Sequence, residues 1–202
     1  MRKLLIGAIV IGLSPYSLRG QETPASTQSI EPPVATAALV SESPVIDGVL
    51  DDAAWDAAEV ITGFVQREPL EGTSPSERTE VRIVFDERAL YIGAWNFVHD
   101  PTSIVVGETR RDASIDNTDA FSLVLDTYQD RQNAFVFATT PAGIEYDGQV
   151  ANEGQGGGGG GRRQQSGSGG GFNLNWDGSW QVATSVDGNG WYAEFRLPFS
   201  TL

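Results

Sequence analysis

The sequence predicts an all-β protein: an antiparallel two-sheet β-sandwich, jelly-roll-like, with one short helix near residues 51–58. Apolar and polar residues alternate with a period of two through short segments between residues 81 and 197, as strands with one buried face do. Gly, Asp, Asn and Pro separate these segments, which is typical of tight turns. Hydrophobic residues make up 40% of the 202-residue chain, so a single domain has enough apolar surface for a full core.

The predicted strands follow one another along the chain as hairpins. Residues 81–85 and 90–97 flank a turn at Glu87 and Arg88, and residues 135–139 and 144–147 flank one at residues 141–143. Residues 121–125 form a buried strand, and a last hairpin joins residues 180–186 to 191–197. The short helix begins with acidic residues, which suit a helix N-terminus, and Trp55 is its apolar anchor to the sandwich.

The N-terminus predicts an exported protein. Arg2 and Lys3 precede an apolar run at residues 4–13, which is too short for a bilayer span of about 20 residues. We therefore interpret residues 1–20 as a signal peptide, residues 21–35 as a disordered linker and residues 36–202 as the folded domain. We expect the mature protein in the periplasm, the outer membrane or the exterior of a bacterial cell.

A Gly-rich block at residues 154–171 interrupts the strand pattern. Eleven of its eighteen residues are Gly, a composition with little to pack, so we predict a disordered surface loop inside the domain. A phosphate-binding loop is excluded because no Gly-Lys-Ser or Gly-Lys-Thr sequence ends the block.

Charge and composition exclude several classes of function. The chain has 13 basic and 27 acidic residues, and loss of residues 1–20 leaves ten basic residues and a net charge of −17. We therefore expect no nucleic-acid partner, because phosphate binding needs clustered Lys and Arg. The absence of Cys from the sequence excludes disulfides, Cys-based zinc sites and Cys nucleophiles.

Four segments, in the same order along the chain, resemble family 9 carbohydrate-binding modules, which are DOMON-like β-sandwiches. These segments are residues 44–55, 81–86, 90–101 and 119–126. The resemblance covers residues 36–202 and implies a non-catalytic module that binds an oligosaccharide or polysaccharide, in association with polysaccharide breakdown.

A narrower resemblance concerns a bacterial subgroup of these modules. Residues 110–112, 126–131, 141–147 and 176–180 resemble members in which an outer-membrane β-barrel-like region follows the module. A membrane β-barrel domain is therefore an expected partner. The family has at least one more core strand after the position of Leu202, which predicts a C-terminally truncated fragment with an unpaired strand edge after Phe195.

The resemblance implies a sugar held between two Trp side chains, with help from charged and amide groups. This sequence departs from that pattern, because residues 115–117 lack one Trp and Ser122 replaces a carboxylate. As substitutes we predict a carbohydrate-binding set of two aromatic and two charged residues: Trp176, Tyr146, Arg111 and Asp119.

Each substitute has a physical rationale and an alternative. Trp176 follows the Gly-rich block and precedes a turn, and loops carry a large share of binding residues. The forked donors of Arg111 suit a sugar carboxylate, and the alternative is an internal ion-pair network. For aromatic residues the alternative is core packing, which we expect for Trp95, Trp180 and Trp191.

Acidic residues close in sequence predict a calcium site. Hard cations prefer carboxylate oxygens, and the candidate ligands are Asp47, Asp51 and Asp52, or Asp126 and Asp130. Neither set fits the spacing of an EF-hand. The alternatives are a helix N-cap for the first set and strand-end turns for the second.

Two other functions compete with sugar binding. A structural or interaction domain tethered to an outer-membrane barrel predicts buried Trp residues and no aromatic cleft, whereas sugar binding predicts an exposed aromatic platform. An enzyme is the weakest hypothesis because no pair of catalytic carboxylates is distinguishable and His99 is the single His of the sequence.

Overall fold

A computed structural model describes residues 34–151 and 171–202, within one unit that extends from Val34 to Leu202. The predicted signal peptide, residues 21–33 of the predicted linker and residues 154–170 of the Gly-rich block lie outside the described residues. None of the helical segments in the described ranges has the length and apolar content that a membrane crossing requires.

The described residues form two β-sheets, which confirms the predicted all-β sandwich. The strands are β1 Ala38–Leu39, β2 Thr79–Phe85, β3 Ala89–Phe97, β4 Phe121–Leu125, β5 Ala134–Thr139, β6 Tyr146–Val150, β7 Phe172–Asn173, β8 Gln181–Val186 and β9 Gly190–Pro198. Sheet A has the order β1-β2-β3-β9-β8, and sheet B has the order β4-β5-β6-β7. The pair β1 and β2 is parallel, and the other pairs are antiparallel. The short helix is a 3-10 helix at Ala53–Ala57, and a second one lies at Pro101–Ser103.

The main core lies between the two sheets. Alternate residues of β3 and β9, such as Ile92 and Phe195, are buried against Phe137 of β5. The Trp180 ring stacks on Phe195 with centroids 5.7 Å apart and planes at 3°. Trp180 and Trp191 are both buried, which confirms their predicted place in the core.

A second apolar cluster covers the other side of sheet A, which we call its outer face. Trp55 in the first 3-10 helix is 1% exposed and packs with Val84 and Tyr91. Its ring lies edge-on to Trp95, with centroids 6.2 Å apart. The segment before β2 therefore forms a third layer over sheet A, and the predicted role of Trp55 as an anchor is confirmed.

The prediction of an unpaired edge after Phe195 is wrong. Strand β9 pairs with β3 from Gly190 to Pro198 on one side and with β8 from Trp191 to Arg196 on the other. The edges of sheet A are β1 and β8. The expectation came from the resemblance, in which a further core strand follows this position, but β9 already has β3 and β8 as partners on its two sides.

Gly48 occupies a turn that no other residue fits easily. Its φ is +87°, and a Cβ atom there would lie 2.8 Å from the carbonyl carbon and oxygen of Thr184. Its own carbonyl accepts a 2.6 Å hydrogen bond from the Ser185 hydroxyl. The turn is therefore pressed against the backbone of β8.

We expect Gly48→Ala to lower the free energy of unfolding by about 2–3 kcal/mol, because backbone strain and a backbone clash add together. Gly63→Ala is the matched control, since Gly63 has a φ of +78° and nothing within 4 Å of its Cβ position. That variant should lose about 1 kcal/mol from left-handed backbone strain alone. Chemical denaturation measures both values, and equal losses would show that the contact with Thr184 is unimportant.

Candidate functional site

Arg111 lies at the centre of a cluster of carboxylates, which we call the Arg111 cluster. Its Nη2 donates to Asp147 Oδ1 at 2.7 Å and to Asp177 Oδ1 at 2.5 Å, and its Nη1 donates to Glu145. The Asp147 side chain is 1% exposed and also accepts a 2.6 Å hydrogen bond from the Gly178 amide. Arg111 therefore ties the loop before β4 to β6 and to the segment before β8. The alternative predicted for it, an internal ion-pair network, is the arrangement found.

The charges of the Arg111 cluster influence one another. Burial opposes ionisation of Arg111, but Asp147, Glu145 and Asp177 outweigh it and raise the pKa of the guanidinium. Burial also raises the pKa of Glu145, against the attraction of Arg111. Burial likewise raises the pKa of Asp112, whose Oδ2 lies 3.8 Å from Arg111 Nε. The cluster places four carboxylates around the guanidinium of Arg111. Without Arg111 these carboxylates would repel one another, so the folded arrangement depends on it.

The other predicted sugar-binding residues are engaged by protein neighbours. Trp176 is half-buried, with its ring centroid 4.8 Å from that of Phe135. It packs against the core instead of forming the exposed platform that we expected. Tyr146 is half-buried as well, and its ring stacks on Phe172 with centroids 6.4 Å apart.

Arg111 is the centre of the Arg111 cluster, and two other predicted residues are next to its members in the chain. Tyr146 lies between Glu145 and Asp147 in the chain, and Trp176 precedes Asp177. Asp119 has a different neighbour: its Oδ2 accepts a 2.7 Å hydrogen bond from the Val105 amide. Sugar binding by these four residues stays a prediction, and the structure gives each of them a structural contact.

Most of the carboxylates predicted to bind calcium have protein partners, and Asp52 Oδ2 accepts a 3.0 Å hydrogen bond from the Val45 amide. Asp126 accepts hydrogen bonds from the amides of Asp130 and Arg131, and Asp47 accepts one from Val49. Asp51 is exposed. Across residues 34–151 and 171–202, no three His, Asp or Glu side chains lie together in a way that fits a metal ion. Calcium binding stays a prediction.

A small cleft lies at one end of sheet B, and we call it the Tyr128 cleft. It has a volume of about 350 Å³. Its lining combines an exposed ring, amide and carboxylate groups and an apolar floor: Tyr128, Asp130, Asn133, Ala134, Phe135, Gln149, Val150 and Ala151. Tyr128 is 68% exposed. This arrangement suits a small ligand with one apolar face and several hydroxyl groups.

The loop that presents Tyr128 is held in place by hydrogen bonds. Asp130 Oδ1 accepts from the amides of Gln132 and Asn133, both at 2.8 Å, and Oδ2 accepts from Asn133 Nδ2 at 2.6 Å. The backbone hydrogen bond from Asn133 is the main reason that the pKa of Asp130 lies below its ordinary value. The ionised carboxylate therefore fixes the loop at neutral pH.

Tyr128, Asn133 and Gln149 are not among the binding residues predicted from the sequence. The available signal was a Tyr inside a polar turn between two apolar strands, since an aromatic ring there has little core to enter. Gln149 gives no such signal, because it is a polar residue within strand β6 and nothing in its sequence context marks it for binding.

The sequence matches no protein-family model and no curated protein. Among the solved structures similar to this chain are two of a family 9 carbohydrate-binding module from Caldicellulosiruptor kristjanssonii. One, in complex with cellotriose, has 18% identity and a TM-score of 0.45, and the match covers 82% of this chain and 68% of that one. The other, in complex with glucose, has 19% identity and a TM-score of 0.45, with 82% and 70% coverage.

Proposed function

We propose that this protein is a non-catalytic carbohydrate-binding module and that the Tyr128 cleft holds one end of a glycan. The observation that carries the proposal is the combination of an exposed ring with planar polar groups in one small cleft. Aromatic faces pack against the C–H-rich faces of sugar rings, and amides and carboxylates bind their hydroxyl groups. The volume of about 350 Å³ lies at the lower end of the range for ligand pockets, as a site for one or two sugar units requires.

The rigidity of the loop supports this proposal. A binding loop that is ordered before the ligand arrives avoids part of the entropy cost of association. Asp126 and Asp130 order residues 126–133 through five hydrogen bonds to amides and to the Asn133 side chain. In this proposal the two carboxylates position Tyr128.

The test is isothermal titration of the 202-residue chain with cellotriose and glucose, the sugars bound by the two similar structures, followed by a glycan array. We expect Tyr128→Ala to weaken binding about tenfold or more, because the stacking surface is lost. Tyr128→Phe keeps that surface and should retain most of the affinity. Phe64→Ala, which removes another exposed ring, is the matched control and should bind as the parent does.

Equal binding by Tyr128→Ala and the parent would rule out this cleft. Binding of no glycan at all would favour the alternative, a structural or interaction domain such as one tethered to a membrane β-barrel. Burial of Trp55, Trp180 and Trp191 is the observation that favours this alternative. Release of shorter sugars during incubation would contradict a non-catalytic role. Export of the module remains a proposal based on residues 1–20.

A further inference from the structure

A larger cavity lies on the opposite sheet, between residues 39–46 and the outer face of sheet A. Its volume is about 1240 Å³. Polar side chains from the segment before β2, the β2–β3 turn and strands β8 and β9 contribute to its lining: Ser41, Ser43, Asp86, Arg88, Gln181 and Arg196. The Tyr128 cleft shares none of these residues.

Arg196 of β9 lines this cavity. It lies directly opposite Tyr91 of β3 on one side and Gln181 of β8 on the other. Its side chain is half-buried, and within the described ranges it donates no hydrogen bond and forms no ion pair. A guanidinium has five N–H donors and matches a carboxylate through two of them, so Arg196 has unused capacity for an anion.

The acidic groups of the cavity are engaged elsewhere. Asp86 accepts four hydrogen bonds, from the hydroxyls of Ser43 and Tyr91 and from the amides of Arg88 and Ala89. These bonds outweigh the effect of burial and hold the pKa of Asp86 well below its ordinary range. The carboxylate is therefore held on the wall by these four donors, and within residues 34–151 and 171–202 it forms no ion pair with Arg196.

The two remaining acids of the lining are Glu145 and Glu87. Glu145 pairs with Arg111, and Glu87 is exposed to solvent in the β2–β3 turn and forms no ion pair with Arg196 among the described residues. Among the described residues, Arg196 is thus a cation on the cavity wall that has no carboxylate bound to it. An incoming anion meets this guanidinium beside the exposed Gln181 amide.

We infer that the cavity binds a polyhydroxylated ligand bearing a carboxylate, such as a hexuronic acid, and that the carboxylate pairs with Arg196. Charge-assisted and bidentate contacts of this kind are strong and directional. The Gln181 amide and the Ser41 hydroxyl lie on the same lining and suit the ring hydroxyl groups. This site is separate from the Tyr128 cleft, so the inference does not depend on the function proposed above.

The test is titration of the 202-residue chain with glucuronate, glucose and acetate. Glucuronate should bind, and its affinity should fall with added salt because the contact is ionic. Arg196→Ala should weaken glucuronate binding about tenfold to hundredfold, as expected for a hydrogen-bonded charge pair, and leave the response to glucose unchanged. Arg196→Lys should give an intermediate result because Lys cannot bind in the two-pronged manner.

Two further variants guard against a folding artefact. Gln181→Glu places a negative charge beside the carboxylate from an exposed position and should also weaken glucuronate binding. Arg110→Ala removes an exposed Arg whose ion pair is with Glu108 and should have no effect. The inference is overturned if Arg196→Ala leaves glucuronate binding unchanged or alters glucose binding equally. Acetate binding as tight as that of glucuronate would overturn the choice of a polyhydroxylated ligand.

Discussion

Arg111→Met should lower the free energy of unfolding by about 3–5 kcal/mol at neutral pH, the cost of leaving a buried charge without its partner. The Asp147 side chain is 1% exposed. In the variant it would keep its hydrogen bond from the Gly178 amide and lose its ion pair with Arg111. Asp177 and Glu145 would lose the same partner, and repulsion among the carboxylates would add to the loss. Chemical denaturation at neutral pH measures the change.

The neighbouring residue supplies the control. Arg110 pairs with exposed Glu108 at 3.6 Å, and exposed ion pairs contribute about 0–1 kcal/mol, so Arg110→Met should be nearly neutral. Adding Asp147→Asn to Arg111→Met should restore part of the stability, because the buried charge is gone and an acceptor for Gly178 remains. Equal losses for the two Arg variants would show that the Arg111 cluster is no more than a surface network.

The strands were predictable because each shows its buried face within a few residues. In β9, Trp191, Ala193 and Phe195 alternate with polar or half-buried neighbours, and this period of two is present whatever the partner strand. The two-residue strands β1 and β7 are too short for any period. The position of β9 between β3 and β8 was not predictable, because it depends on pairing between distant segments.

The candidate sites were less predictable because residue type does not reveal which donors are already used. Arg111 and Arg196 both suit a carboxylate, but Arg111 meets three carboxylates from distant segments and Arg196 meets none among the described residues. A single sequence shows neither fact. Trp176 illustrates the same limit, since its loop position suggested exposure but the fold packs its ring on Phe135.

Glu194→Ala should destabilise the protein by about 3–4 kcal/mol, because two buried donors and one part-buried donor lose their acceptor. Glu194 is fully buried in β9. Its Oε2 accepts from the amides of Asp47 at 3.0 Å and Gly48 at 2.8 Å, and its Oε1 accepts from Trp55 Nε1 at 3.2 Å. This side chain thus holds the third layer onto sheet A. Glu194→Gln removes the charge and keeps one acceptor oxygen, so comparing it with Glu194→Ala separates the effect of the charge from that of the hydrogen bonds.

The charge of Glu194 makes stability depend on pH in a defined direction. Burial, opposed by the three hydrogen bonds, raises the pKa of Glu194 from 4.5 to about 6. The folded state therefore holds this proton more tightly than the unfolded state does, and stability falls as the pH rises from 4.5 to 6. At 1.36 kcal/mol for each pH unit, the loss due to this group is about 2 kcal/mol, and above pH 6 it stays constant.

Glu194→Gln should remove this part of the pH dependence. The difference in unfolding free energy between parent and Glu194→Gln, measured at steps from pH 4 to 7.5, isolates Glu194 from other acids that titrate in the same range, such as Glu145 and Asp112. Between pH 4.5 and 6 the parent loses about 2 kcal/mol through Glu194 and the variant does not. The free energy of unfolding of the variant minus that of the parent should therefore rise by about 2 kcal/mol. The side-chain carbonyl of the variant can accept from the amides of Asp47 and Gly48, but its side-chain NH2 group cannot accept from Trp55 Nε1. The variant should therefore have a lower free energy of unfolding than the parent at acidic pH. A difference that stays flat across this range would mean that Glu194 titrates as an ordinary carboxyl and that its burial carries no electrostatic cost.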